Sequence, residues 1–435
     1  MARLLKLKVQ GLRSVGHKTK DSLEIPFVHP LTIINGSIGT GKTTIIESLN
    51  SIATGAWPCG NLQNFIRYPE TGKPTIEVSI SLEFEDLNGC VCTSTKRMVA
   101  TLMKGKLRCK SETLSLKIRM PNGQERKVSK KLLKVQREII EHMGAPAVIL
   151  DHVNFCHQDE HFWPLGEELK VVLDQVFQSS NFTRAIEKME EAKQCFDQDL
   201  ALLTEKQRKA ESQLGTKTEL QGDPESLQKF VNAEKAYKII CNECHIMNES
   251  AKNLQKYTKT LASSLIAIHS EKMAEINEII DDLWRKVSKG LYIDSIRIGS
   301  KCVKTSSGDK SYSYSVLMTR GSIETEMRGN ESSPSLGEKS LACLVIRIAL
   351  AAVFGGARPI IALDEPTRDM DKTRSKLVAA MLNDLIVSRG VQVIIVTNDD
   401  RLLKKLVVAN RPDFTFVLEK DQRGLSSIRS QLLDR

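Results

Sequence analysis

The chain lacks any run of roughly 18–20 consecutive apolar residues, so no segment reads as a membrane-crossing helix. It is poor in aromatic residues, at 5%, and has only ten cysteines in 435 residues. That cysteine density is far below a disulfide scaffold's and points to a reducing compartment. The first ten residues, MARLLKLKVQ, alternate apolar and basic side chains and lack the apolar core of a secretory signal. What remains is an ordinary globular balance, 41% hydrophobic and 27% charged. Such a chain is too apolar to be disordered. At roughly 100–200 residues per domain it holds two to four domains.

The net charge of +10 is unevenly spread. Between Lys96 and Arg137 stand fourteen Lys/Arg and two acids, Glu112 and Glu125, a local net of +12 that leaves −2 for everything else. Blocks of this kind track polyanions such as nucleic acid. Lys104, Lys106, Arg108 and Lys110 alternate, which predicts one face of a strand or hairpin. Lys127, Lys130, Lys131 and Lys134 fall at i, i+3, i+4 and i+7, which predicts one face of a helix. With few aromatics between them, these residues suit phosphate contact rather than base stacking. The expectation is sequence-independent binding to duplex DNA with a steep salt dependence.

Three zones follow one another. Residues 1–180 mix short strand-like runs with a few helices. Among these runs, IEVSISLEF at 76–84 alternates apolar and polar with period two. Residues 181–288 read as helical almost throughout. Residues 289–435 return to alternating strands and helices, with fully apolar strands IIAL at 360–363 and VQVIIV at 391–396 that suit a sheet covered on both faces. The middle zone carries two heptad seams. One runs Ile186, Met189, Lys193, Phe196, Leu200, Leu203, Gln207, Ala210, Leu214; the other starts at Phe230 and continues through Tyr237, Ile240, Cys244 and Met247 to Ile268. Two arms separated by the turn-rich segment 215–226 predict an antiparallel coiled-coil hairpin.

Phosphate chemistry is the strongest local signal. After the strand-like LTIIN, ending at Asn35, comes Gly36-Ser-Ile-Gly39-Thr-Gly41-Lys42-Thr43-Thr44, a Walker A loop that opens a helix predicted over 43–53. Glycines let the backbone amides face phosphates, the helix N-terminus adds positive potential, Lys42 reaches the phosphates and Thr43 can ligate Mg²⁺. Far downstream, IIAL ends in Asp364-Glu365, a Walker B pair. Asp364 is expected to hold Mg²⁺ and Glu365 to act as general base toward water. Lys42 and Asp364 lie 322 positions apart with the heptad zone between them. One ATPase fold must therefore be assembled from both ends of the chain, with the hairpin as an insertion.

Further segments carry a family resemblance. Ser335-Leu-Gly337-Glu338-Lys339 opens an apolar helix and resembles the ABC-ATPase signature; Phe155-Cys-His-Gln158-Asp resembles the Q-loop, and Asp371 resembles the D-loop aspartate. More narrowly, GLRSVG at 11–16, GKTTIIESL at 41–49, FCHQDEHFWPL at 155–165, HSEKMAEINEIIDDLWRK at 269–286 and YSYSVLMTRGSIETEMRG at 312–329 resemble the SMC-like ATPase subunit of the eukaryotic MRN/MRX-type double-strand-break repair nuclease complex. The resemblance implies a two-lobed α/β ABC-ATPase head: an N-terminal lobe at 1–180, an antiparallel coiled coil at 181–288 and a C-terminal lobe at 289–435. It implies Mg²⁺ and ATP shared between two heads, with Ser335, Gly337 and Glu338 of one head meeting the nucleotide held by the other. Arg13 and Ser14 match the loop beside the nucleotide, Gln158 a ligand of metal and water, and Met327, Arg328 and Gly329 the segment that couples nucleotide state to lobe rotation. It further implies nuclear location, a clamp on double-stranded DNA facing the basic surface, and a nuclease subunit docked near the base of the coiled coil. No membrane partner is expected.

The chain departs from that family at three points. Glu338 stands where such members have glutamine; a carboxylate about 4 Å from phosphate costs on the order of 4 kcal/mol at an effective dielectric near 20. Asn398 replaces the switch histidine and cannot carry a proton. Slow hydrolysis is the expectation. The zone 181–288 leaves room for only a short arm without the family's zinc hook. Cys241-Asn-Glu-Cys244-His245 has zinc-like spacing, but Cys244 lies on the seam, so a core cysteine is the expectation. The rival readings are a cohesin- or condensin-like head, a transporter's nucleotide-binding subunit and a hydrolysis-impaired scaffold.

Overall fold

The computed structural model describes residues 2–432 apart from 58–61, 69–74, 104–105, 130, 157–162, 166–167, 178, 216–223, 305–309, 328–333, 357, 411 and 413. The chain divides into two compact units, one of Met1–Val176, Met273–Lys301 and Tyr312–Arg435, the other of Phe177–Lys272 and Cys302–Ser311.

The first unit is the head. Its N-terminal sheet contains β1 (Arg3–Gln10) and β2 (Leu23–Pro26), while β3 (Leu31–Gly36) goes elsewhere. It continues with β4 (Thr75–Glu85), β5 (Val91–Met103), β6 (Lys106–Arg119) and β7 (Glu125–Val128), in the antiparallel order β2-β1-β4-β5-β6-β7. The period-two pattern explains its packing, since Ile76, Val78, Ile80, Leu82 and Phe84 of β4 all point into the core. Beneath it runs α1 (Lys42–Thr54), one residue longer at each end than the sequence predicts. The short α2 (Leu62–Phe65) follows, then α3 (Leu132–Met143), α4 (Ala147–Ile149) and α5 (Glu168–Val176).

The second sheet joins both ends of the chain. β3 lies between β13 (Gln392–Thr397) and β14 (Phe414–Lys420), and β12 (Ile360–Asp364) lies between β13 and β8 (Phe155–Cys156). These five strands run parallel, while β15 (Ser426–Leu432) adds an antiparallel edge to β14. Every residue of β12 and β13 is buried, as expected for strands covered on both faces. The covering helices include α8 (Leu336–Phe354), whose sequence is apolar around most of its circumference, and α9 (Lys372–Arg389) and α10 (Asp400–Asn410). A third sheet has the order β11-β10-β9, from β9 (Ser295–Lys304), β10 (Lys310–Arg320) and β11 (Ile323–Glu326).

The second unit is built on α6 (Ser179–Gly215) and the greater part of α7 (Pro224–Val287). The rings of Phe177 and His269 meet at 4.8 Å, and Gln207 Nε2 donates to Cys241 Sγ at 3.4 Å. Moving up α6 thus moves down α7, so the arms are antiparallel. The heptad reading is visible in the exposure: Met189, Lys193, Phe196, Leu200, Leu203 and Gln207 are each half-buried, as are Tyr237, Ile240, Cys244 and Met247 opposite. Most of the turn segment lies outside the described residues. The last turns of α7, from Met273, belong to the head unit, earlier than the boundary at 288.

Two expectations for the basic block need correction. Lys127, Lys130, Lys131 and Lys134 share no helix face. Lys127 lies in β7 opposite Lys117, Lys131 is the residue before α3, and only Lys134 is helical, while Lys130 lies outside the described residues. The reason is the Pro121-Asn122-Gly123 turn, where Gly123 adopts φ +83° and folds the chain back as a hairpin. The alternation of 104–110 is also broken. Ala100 pairs with Cys109 but Val99 with Ser111, so Lys110 sits in a bulge. Leu107 points inward before it and Leu114, Leu116 and Ile118 after it, which reverses the parity. Arg108 and Lys110 are nonetheless both exposed, as are Lys127, Lys131 and Lys134; Lys104 lies outside the described residues.

Candidate functional site

The carboxyl ends of the parallel strands form one rim. Ile34 pairs with Val396 and Val396 with Asp364, so Asn35, Thr397 and Glu365 follow side by side. Such an edge is where open α/β sheets place their ligands.

From Gly36 the chain turns into α1 through a loop only glycines permit. Gly39 and Gly41 take φ +81° and +101°. A Cβ on Gly36 would come within 2.7 Å of Thr40 Oγ1, and one on Gly41 within 3.0 Å of Ser426 Oγ and 3.1 Å of Ser14 Oγ. No side chain caps the start of α1, which leaves its first amides for an anion. Lys42 is 7% exposed, donates to the carbonyls of Gly36 (2.7 Å) and Ser37 (3.1 Å), and stands 3.3 Å from Glu365 Oε1. A buried ammonium at a helix N-terminus is at the unfavourable end of the helix dipole, an arrangement that an incoming phosphate relieves.

Glu365 has φ +47°, a left-handed conformation that costs a non-glycine residue about 1–3 kcal/mol. Its amide donates to Val396 O at 2.9 Å, and its Oε2 accepts from Thr397 Oγ1 at 2.8 Å and from the Asn398 amide at 3.2 Å. Asn398 thus touches the carboxylate through its backbone. Next to it, burial pulls the Asp399 carboxyl upward, but hydrogen bonds from Thr367, the Arg401 and Leu402 amides and Ser375 together hold it below the usual aspartate value.

A cavity of about 870 Å³ lies on this rim, lined by Arg13, Ser14, Gly39, Gly41, Lys42, Thr43, Thr44, Glu365 and Asn398 among others. Arg13, at φ +40°, forks onto Glu47 at 2.8 and 2.6 Å. Sequence reasoning missed Arg368, Arg401 and Lys420, which line the same cavity. It also missed Ser426, whose hydroxyl lies 2.6 Å from both Ser14 Oγ and Thr40 O and so braces the glycine loop. No local motif marks these residues; they arrive from strand ends hundreds of positions away.

The residues present fit a magnesium nucleotide. Gly36 and Gly41 sit where a Cβ has no room, and the buried Thr44 hydroxyl has no hydrogen-bond partner among the described residues. Half-buried Thr43 and 4%-exposed Asp364 offer the hard oxygen donors that Mg²⁺ takes. Gln158 lies outside the described residues.

The signature residues are elsewhere. Ser335 is the N-cap of α8, and Glu338 completes a capping box: Glu338 N donates to Ser335 Oγ (3.3 Å), while Ser335 N and Oγ donate to Glu338 Oε2 (2.8 and 3.0 Å). The carboxylate that looked misplaced beside phosphate is held by its own helix. Gly337 allows α8 to approach the next loop, since a Cβ there would meet Asp369 O at 2.7 Å. Asp371 caps α9 by accepting from the Thr373 and Arg374 amides at 2.7 and 2.8 Å. Ser335, Gly337, Glu338 and Asp371 do not line the cavity. Met327 is buried, and Arg328 and Gly329 lie outside the described residues.

Lys96, counted in the basic block, is withdrawn from its surface. It is 1% exposed, donates to Gly55 O at 2.7 Å and Ser51 Oγ at 3.3 Å, and lies 4.0 Å from the Trp57 ring centre. Burial pulls its ammonium down to about 8, with Glu112 opposing.

Comparison with known proteins agrees with this geometry. A family profile described as an AAA domain matches residues 6–288. The chain is 41% identical over 245 residues to the DNA repair protein rad-50 of Caenorhabditis elegans, covering 53% of this chain and 18% of that protein. It is 34% identical over 224 residues to the DNA repair protein RAD50 of Saccharomyces cerevisiae, covering 49% and 17%. The chain therefore spans less than a fifth of the length of these relatives. Among solved structures, the Smc head domain with a coiled coil and joint from Pyrococcus yayanosii aligns with TM-score 0.67 at 14% identity, over 99% of this chain and 97% of that one. The Smc head from Pyrococcus furiosus, with an extended coiled coil and bound to the C-terminal domain of ScpA, aligns with TM-score 0.61 at 16% identity, over 99% and 97%. The fold is thus that of an SMC head, and the chain belongs to the AAA-domain family.

Proposed function

We propose that this chain is the ATP-driven, DNA-clamping head of a double-strand-break repair assembly in the nucleus. Two heads share two Mg-ATP molecules and close on duplex DNA. Hydrolysis reopens them and regulates an associated nuclease docked near the base of the coiled coil. One observation carries the reading: the cavity holds Lys42, Glu365 and Asn398, while Ser335 and Gly337 lie outside it in the same chain. A site with the loop, the base and no signature is half a site, and a second copy supplies the rest.

In this reading the amides of the glycine loop and Lys42 hold the phosphates, and Arg13 and Ser14 border the nucleotide. Thr43, Asp364 and Gln158 hold Mg²⁺, which when bound neutralises phosphate charge. Glu365 takes the proton of the attacking water through Oε1, while Thr397 and Asn398 fix its other oxygen. The Asn398 side chain cannot take up a proton, and Glu338 holds the Ser335 hydroxyl until the heads engage. Both features favour slow turnover.

The test is sedimentation with and without Mg-ATP. The wild-type chain shifts from monomer to dimer, and Ser335→Arg stays monomeric while binding ATP normally. A Ser335→Arg chain that pairs normally rejects the shared site. Glu365→Gln retains ATP and the dimer but loses hydrolysis by about 10²–10⁴-fold, the usual contribution of a general base. Rapid phosphate release by that variant removes Glu365 from its role.

A further inference from the structure

A cluster outside the nucleotide rim has the chemistry of a metal site. The hairpin between β4 and β5 turns through Asp86-Leu-Asn-Gly-Cys90, closed by an Asp86 amide bond to Cys90 O at 2.9 Å. Cys92 lies near the start of β5, opposite Phe84 of β4, with its side chain buried. His142 reaches the same point from the last turn of α3. One donor atom each from Asp86, Cys92 and His142 lies within 4.8 Å of the others.

We propose that Asp86, Cys92 and His142 bind one divalent cation of the zinc class, with water in the fourth position, pinning the β4–β5 hairpin to the end of α3. The donor set is one sulfur, one imidazole nitrogen and one carboxylate oxygen, a mixture that favours zinc over harder cations. Its supports are already in place. Asp86 Oδ1 accepts from the Asn88 and Cys90 amides, both at 2.8 Å, which turns Oδ2 toward His142 Nδ1 at 2.7 Å. A ligand oriented by backbone amides is the outer-shell arrangement that metal sites share. Asp86 and Cys92 are 3% and 0% exposed, while the half-buried His142 and Cys90 leave the approach open. Zinc ligands at about 2.0–2.3 Å from the ion require the donors to contract by roughly 1 Å, within reach of side-chain rotation. The ion takes the place of the proton between Nδ1 and Oδ2, leaving a neutral imidazole protonated at Nε2, and displaces the Cys92 thiol proton to solvent.

A core of small apolar groups with one hairpin-capping aspartate is the competing description, and the two differ in a spectrum. Under reducing conditions, the metal-stripped full chain is titrated with Co²⁺. The site gives a thiolate-to-cobalt charge-transfer band of one equivalent that Zn²⁺ displaces. Cys92→Ala loses the band, and His142→Ala weakens cobalt binding by about tenfold or more. The double variant Cys241→Ala/Cys244→Ala keeps it, which separates the site from the C-x-x-C of α7. Absence of the band in the wild-type chain, or its survival in Cys92→Ala, overturns the proposal. Alkylation of the unmutated chain gives a readout independent of variant folding: Zn²⁺ slows labelling of Cys92, and unchanged labelling counts equally against the site.

Discussion

Two lysines stand at the two ends of one helix, and they teach opposite lessons. Lys42 opens α1 and Lys96 closes it; both are buried, at 7% and 1% exposure. Lys96 donates to Gly55 O, just past the last turn, where the helix dipole is negative, and sits against Trp57 and near Glu112. These partners offset its burial only in part, and the ammonium is still pulled down to about 8. Lys42 lies where the dipole is positive, with two carbonyls and a strained Glu365 for company. It also lines the open cavity on the strand rim, where a phosphate can reach it. The same residue type is a structural pin at one end and a binding device at the other, and the open cavity beside Lys42 marks the functional one.

Removing each in turn sharpens the contrast most. Lys42→Ala weakens ATP binding by roughly 100-fold, the equivalent of about 3 kcal/mol for a charged hydrogen bond, with little loss in denaturant midpoint. Lys96→Ala does the reverse: it orphans Gly55 O and opens a cavity, costing about 2–4 kcal/mol of stability, and leaves the ATP affinity unchanged. A Lys96→Ala chain of normal stability that cannot bind ATP breaks the comparison.

The pH dependence separates them next. The Lys96 ammonium titrates near 8 in the folded chain and near its ordinary 10.5 when unfolded. Between those values the unfolded chain holds more protons, so stability rises with pH. Relative to Lys96→Met, the wild-type chain gains about 2 kcal/mol from pH 8 to pH 10, read from paired denaturation curves. A constant difference shows that Trp57 and Glu112 keep the ammonium charged.

The smallest effect concerns the surface that Lys96 left. Reversing Arg108 and Lys110 to Glu lowers the salt slope of duplex binding by about 0.9 for each phosphate no longer neutralised, measured by anisotropy across ionic strengths. Lys96→Met leaves that slope unchanged, because the side chain faces α1 rather than solvent.

Legibility followed the range of the interaction. The heptad seams were readable because a coiled coil repeats every few residues, and the half-buried positions from Met189 to Gln207 fall on that repeat. The glycine loop was readable because φ +81° and +101° demand glycine. The basic block misled where charge was counted without topology. A hairpin turn at Pro121–Gly123 and a bulge at Lys110 rearranged its faces, and Lys96 turned inward. Glu338 misled in a related way, since its partner is Ser335 three residues back and its carboxylate serves the helix end. The Asp86, Cys92 and His142 cluster joins a hairpin to a helix end some fifty residues on, a pairing that no spacing rule announces.

By itself, the order of residues determined the local devices: the phosphate loop, the apolar strand ending in Asp364 and Glu365, the capped helix at Ser335 and the two helical arms. Each depends on neighbours a few positions away, through backbone dihedrals and short periods. Only the tertiary structure decided what those devices face. By seating β3 between β13 and β14, the sheet brings Asn35, Thr397 and Glu365 onto one rim and leaves Lys42, unlike Lys96, at the wall of an open cavity. The physical reason is that hydrogen-bonded strand register, unlike helical period, is a relation between distant segments that neither segment encodes alone.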